Sequence, residues 1–74
     1  MVEIIVLVNV KAGAVEEVYK HIAKIEGVKK VNVVTGTYDI IIYAELASRA
    51  NIRGFIAEIH ESEGIEKTET CVVI

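Results

Sequence analysis

Residues 28–46, VKKVNVVTGTYDIIIYAEL, decide the fold. Two runs dense in β-branched side chains, Val28 to Thr35 and Tyr38 to Leu46, flank Gly36 and Thr37, which read as the reversal between them. The stretch is a predicted β-hairpin. On either side the period changes. Upstream, Val15, Val18, Tyr19, Ile22 and Ile25 recur at helical spacing, with Glu16 and Glu17 near the positive end of the helix dipole and Gly27 as a stop. Downstream, Ile52, Phe55, Ile56 and Ile59 form a similar stripe, with Ser48 placed to cap it and Gly64 to end it. Val2 to Val10 (VEIIVLVNV) and Ile65 to Ile74 supply the remaining strands.

The order is therefore β-α-β-β-α-β, and the halves match when shifted by 37 residues. Val15, Val18, Tyr19 and Ile22 fall on Ile52, Phe55, Ile56 and Ile59, and Glu26-Gly27-Val28 falls on Glu63-Gly64-Ile65. Right-handed crossovers then place both helices on one face of a four-stranded antiparallel sheet, the α+β ferredoxin-like plait.

Length and composition limit what such a plait can be. The 74 residues make one domain, 1–74, without a linker to a second. At this size a folded monomer exposes on the order of 4,500 Å² and buries roughly 60% of its unfolded surface, which is marginal stability for a chain alone. The sequence is 53% hydrophobic and 5% aromatic, with Val and Ile at 12 residues each, which favours strands and excludes disorder and coiled coil. A net charge of -3 has the wrong sign for gripping phosphates, so no direct nucleic-acid binding is expected. One cysteine, no basic leader at the start and no apolar run of ~18 residues lead to the expectation of a cytoplasmic chain without a membrane partner.

Strand alternation raises a further expectation. Val2, Ile4, Val6, Val8 and Val10 point one way and Glu3, Ile5, Leu7 and Asn9 the other, while Ile40, Ile42 and Ala44 oppose Ile41 and Tyr43. Both faces are apolar at the centre, yet helices cover only one. The other would expose Ile5, Leu7, Val34 and Ile41 as a patch larger than soluble monomers usually carry. A face-to-face homodimer is expected, with a monomer as the plainer alternative.

Reactive side chains are sparse. His21 and His60 lie on separate helices without metal-ligand spacing, and Cys71 has no activating neighbour, so no metal, cofactor or catalytic set is expected. The aromatic platform of an RNA-binding sheet is missing. The first loop, Lys11-Ala12-Gly13, has neither the cysteines of a copper carrier nor the arginine of an acylphosphatase-like site. Asp39 stands apart. It is the sole aspartate and follows Thr35-Gly36-Thr37-Tyr38, where turn N–H groups and a carboxylate can converge as a zwitterion requires. Capping of its own turn accounts for it equally well.

Assembled, these motifs resemble the effector-binding (RAM) domain of the leucine-responsive and asparagine-operon regulator family, Lrp/AsnC. The likeness is carried by Ile25-Glu26-Gly27-Val28, by Val34-Thr35-Gly36-Thr37-Tyr38-Asp39 with Ile40-Ile41-Ile42, and by Gly64-Ile65-Glu66-Lys67-Thr68-Glu69-Thr70; Glu26, Thr37 and Cys71 depart from the common pattern. The chain starts at the first strand with no helix-turn-helix before it, which looks like a stand-alone form. The resemblance implies sheet-to-sheet dimers (a dimeric α/β barrel), rings such as an octamer or decamer, and an amino acid effector bound between neighbouring dimers. By position it assigns ligand contacts to Gly36, Thr37, Tyr38 and Asp39 of the hairpin and to Thr70, Cys71, Val72 and Val73 of the last strand. It also implies mixed rings with a full-length Lrp/AsnC regulator. Two other readings remain open: a small dimeric α/β-barrel enzyme using Asn9, Asn32 or Tyr43, and a purely structural assembly module.

Overall fold

A computed structural model describes residues 1–74. The elements are β1 (Val2–Val10), α1 (Val15–Ala23), β2 (Val28–Val33), β3 (Ile40–Leu46), α2 (Ile52–Ile59) and β4 (Ile65–Val72), with a 3₁₀ turn at Arg49–Asn51 leading into α2. The sheet order is β2-β3-β1-β4, every neighbour antiparallel. This is the βαββαβ plait that the change of periods predicts.

β1 is central because its alternation serves two layers. Ile4, Val6, Val8 and Val10 face the helices and are buried, and beneath them Val18 and Ile22 of α1 and Phe55 and Ile59 of α2 close the core with Ile40 and Ile42. Each such side chain contributes roughly 1.5–3 kcal/mol on burial. The intervening Ile5, Leu7 and Ile41 stay half-buried, and Tyr43 is 45% exposed, because no helix reaches that face. The molecule is accordingly a slab of 34 × 22 × 17 Å with 4787 Å² of surface, above the ~4,500 Å² of a compact monomer of this mass.

Four local expectations are corrected. The hairpin is wider than a two-residue reversal: β2 stops at Val33 and β3 starts at Ile40, leaving a loop over 34–39. That loop is closed by the Val34 N–H donating to the Asp39 carbonyl at 2.8 Å, and Gly36 takes φ of 115°. Tyr19 is not core but 40% exposed, since Val18 and Ile22 already fill the face of a helix only nine residues long. Ser48 caps the 3₁₀ turn that leads into α2 and not α2 itself: its N–H and hydroxyl both donate to Asn51 Oδ1, at 3.0 and 3.3 Å, and the Asn51 N–H donates to the Ser48 carbonyl. The last strand ends at Val72 rather than Ile74, although the Val73 N–H still donates to the Glu3 carbonyl.

The repeat-related glycines have different reasons. Gly27 turns the chain at φ of 98° and also has Leu46 Cδ2 2.9 Å from where a Cβ would stand, whereas Gly64 answers to packing alone: a Cβ there would stand 2.7 Å from Ala14 Cβ and 2.8 Å from Val18 Cγ2, so the start of β4 packs directly on α1. Gly54, within α2, has open space where a Cβ would be. The same substitution therefore has opposite signs at two sites. In urea unfolding, Gly64→Ala is expected to lose about 1–3 kcal/mol by overpacking, and Gly54→Ala to gain up to about 1 kcal/mol of helix propensity.

Candidate functional site

The loop over 34–39 crosses the end of β1. The ladder between β1 and β3 stops at Val8 and Ile40, two residues short of the end of β1, so the Val10 N–H faces the loop without a strand carbonyl. Asp39 fills that place: its Oδ2 accepts from Val10 N at 2.9 Å, while its own N–H donates to the Val8 carbonyl at 2.9 Å. Asp39 thus caps a neighbouring strand and not its own turn. Asn9 Nδ2 donates to the Thr37 carbonyl at 2.8 Å, and the Tyr38 hydroxyl donates to Glu69 Oε1 of β4 at 2.5 Å. The loop is held at its feet and at Tyr38, and between them the N–H groups of Thr35, Gly36, Thr37 and Tyr38 donate to no group within the chain.

The proton affinity of Tyr38 is raised by its neighbours. Its hydrogen bond to the Glu69 carboxylate, then desolvation, then the negative charges of Glu69 and of a Cys71 thiolate, push its pKa above the usual tyrosine value.

The second group of expected residues lies elsewhere. Cys71 pairs with Ile5, and Thr70 with Val6, toward the opposite end of β1 from Asn9. At about 3.3 Å per residue, the four residues from Asn9 to Ile5 separate Asp39 from Cys71 by roughly 13 Å along the sheet. Within one chain, therefore, Gly36–Asp39 and Thr70–Val73 do not close a common pocket. The connection between the two regions is Glu69, one of ten glutamates. Its signal appears only with register, because Glu69 stands opposite Leu7.

Other features of the surface are separate. The largest hollow, about 610 Å³, lies between α2 and the end of β3 over Leu46 and Phe55, and none of the chain's concavities is lined by Gly36–Asp39. Asn9, Asn32 and Tyr43 share the uncovered face, but Asn9 is committed to the loop. His21 Nε2 donates to the Glu58 carbonyl at 2.6 Å and ties α1 to α2, while His60 Nε2 lies 2.9 Å from Thr68 Oγ1 and ties α2 to β4. Both histidines fasten the helical layer.

The loop presents free N–H donors beside an anchored carboxylate. Comparison with known proteins defines the class of the chain. The family described as the Lrp/AsnC ligand binding domain matches residues 3–74. The chain belongs to that family. An uncharacterized HTH-type transcriptional regulator of Pyrococcus furiosus is 34% identical over 74 residues, covering 97% of this chain and 50% of the regulator. The chain spans about half the length of the curated relatives it matches. Among crystal structures, a Thermus thermophilus protein superposes with a TM-score of 0.95 at 28% identity, covering 100% of this chain and 94% of that one. FFRP-DM1 superposes with a TM-score of 0.93 at 32% identity, covering 100% of both chains. The relatives' names point to transcriptional regulators rather than enzymes, and the chain corresponds to the ligand-binding domain of such regulators. No helix is long and apolar enough to cross a membrane.

The anchoring of Asp39 is measurable. Asp39→Ala leaves a part-buried N–H without its acceptor and is expected to lose about 1–2 kcal/mol, with faster amide exchange at Val10. Asp39→Asn keeps an oxygen acceptor at that place and should unfold close to wild type in urea. Equal losses in both variants would contradict the capping role.

Proposed function

We propose that this chain is the amino-acid sensor of an Lrp/AsnC-type regulatory system and catalyses no reaction. The observation that carries the reading is the run of unpaired N–H donors from Thr35 to Tyr38 beside Asp39. Free N–H groups suit an α-carboxylate, and the Asp39 carboxylate, with one oxygen held by Val10, suits an α-ammonium. In this reading Gly36, Thr37, Tyr38 and Asp39 hold the backbone of the effector. Thr70, Cys71, Val72 and Val73, too distant within one chain, come from a neighbouring copy and select the side chain.

The uncovered face supplies the assembly. Ile5, Leu7, Ile41 and Tyr43 form an apolar centre that a second copy covers face to face, giving a dimeric α/β barrel. Dimers assemble further into a ring, an octamer or decamer, whose seams hold the amino acid. Ligand at a seam stabilises the assembly that binds it best. The chain works in the cytoplasm and carries its signal to DNA through mixed rings with a full-length regulator.

Calorimetric titration with each of the common L-amino acids is expected to show saturable binding of a few. Asp39→Asn should weaken that binding roughly ten- to a hundredfold, the loss of one charge-assisted contact. A flat panel with folded wild-type protein would reject the sensor and leave a structural assembly module. Independently, sedimentation of wild type should give a dimer or larger species, and Ile41→Glu a monomer; a monomeric wild type would reject the face-to-face pairing.

A further inference from the structure

β4 is an edge strand, and Glu69 lies on its uncovered side, opposite Leu7. Tyr38 belongs to the loop at the end of β3, on the far side of β1. From β3 to β4 is two strand intervals, roughly 9.6 Å, and the side chains of Tyr38 and Glu69 span that distance across β1 to meet. The other polar anchors of the loop all go to β1: the Asp39 N–H to Val8, the Asp39 carboxylate to Val10, and the Thr37 carbonyl to Asn9. Glu69 has no competing cation, since the chain's two ion pairs are Lys20–Glu16 and Lys29–Glu45. Its carboxylate is committed to the Tyr38 hydroxyl.

We infer that Glu69 is a positioning residue for the effector loop, acting through the Tyr38 hydroxyl as a strap that ties the loop to β4 and to the uncovered face. This rests on the amino-acid reading above. Thr35, Gly36 and Thr37 are exposed, and apart from the Asn9 contact on the Thr37 carbonyl they make no hydrogen bond to a side chain, so the direction of their N–H groups depends on what fixes the residues beside them. Tyr38 is that neighbour. A loop already held in its binding shape loses less conformational freedom when a ligand arrives. The same pair gives β4 a physical link to loop occupancy, because a ligand that tightens the loop draws on the strand that carries Thr70–Val73.

The charge state of the strap is defined. The neutral phenol donates and the ionised carboxylate accepts, with Glu69 and Cys71 as the groups of β4 acting on Tyr38. Since the folded-state pKa of Tyr38 is raised, its contribution is complete below the ordinary tyrosine value of about 10 and is lost as pH rises through the raised value. At neutral pH the strap is closed.

The test compares Tyr38→Phe, Glu69→Ala, Glu69→Gln and the double variant Tyr38→Phe/Glu69→Ala with wild type by calorimetry against each of the twenty common L-amino acids. Tyr38→Phe and Glu69→Ala should each weaken binding about tenfold. Glu69→Gln, which keeps a neutral acceptor, should fall between them and wild type, and the double variant should bind no more weakly than the worse single one. Tyrosinate absorbance adds a readout that mere loss of stability does not move. One of the three tyrosines, Tyr19, Tyr38 and Tyr43, should ionise above the others in wild type and return to the ordinary range in Glu69→Ala. Wild-type affinity in Tyr38→Phe and Glu69→Ala, or additive losses in the double variant, would overturn the positioning role and leave the sensor intact. A wild type that binds no amino acid would overturn both.

Discussion

Everything in this small plait depends on β1, which shares with β3 the interior of the sheet and is hydrogen-bonded along both edges. Its helix-facing residues, Ile4, Val6 and Val8, are the floor of the core, and its other residues, Ile5 and Leu7, are the centre of the opposite face. A strand apolar on both sides has to be covered on both sides. Two short helices cover one, and the slab form of the molecule follows from the second being left to other chemistry. The loop over 34–39 is likewise a consequence of β1. It exists in its observed form because β1 outruns β3 by two residues and leaves a strand N–H that Asp39 must satisfy.

The architecture was legible in the sequence because it rests on period. Alternation in Val2–Val10, helical spacing in Val15–Ile22 and Ile52–Ile59, and the match of the two halves need only local reading, and each is local in the structure too. The site was legible only in part. The neighbourhood of Asp39 showed itself through an unusual residue after a glycine-containing reversal, but its hydrogen-bond partner did not, since Val10 lies 29 residues away and the pairing depends on where the β1–β3 ladder stops. Glu69 was hidden for the same reason. One glutamate among ten has no local mark, and it gains a role only when register sets it opposite Leu7 within reach of Tyr38.

Internal repetition misled where side chains, not backbone, decide. Gly27 and Gly64 coincide under the 37-residue shift, yet Gly27 answers to a positive φ as well as to the closeness of Leu46, and Gly64 to the closeness of Ala14 and Val18 alone. Tyr19 and Ile56 also coincide, but Tyr19 is 40% exposed while Ile56 packs against the core. The repeat preserves the path of the chain and the sites where elements touch. His21 and Glu58 are themselves 37 positions apart and meet, so equivalent points of the two halves come together at the helix-helix seam.

The strand order carries a consequence for how the molecule comes into being. β1, the first strand made, occupies an interior place, and its outer partner β4 is the last, with Ile4 opposite Val72. Closing a contact across nearly the whole chain carries a large loop-closure entropy and sets a slow, non-local final step. During synthesis β1 can pair with β3 as soon as residues 40–46 have left the ribosome, but its other edge stays open until β4 follows. For that interval the nascent sheet presents an unpaired edge and an unscreened apolar surface together, the combination that invites a neighbouring chain of the same sequence.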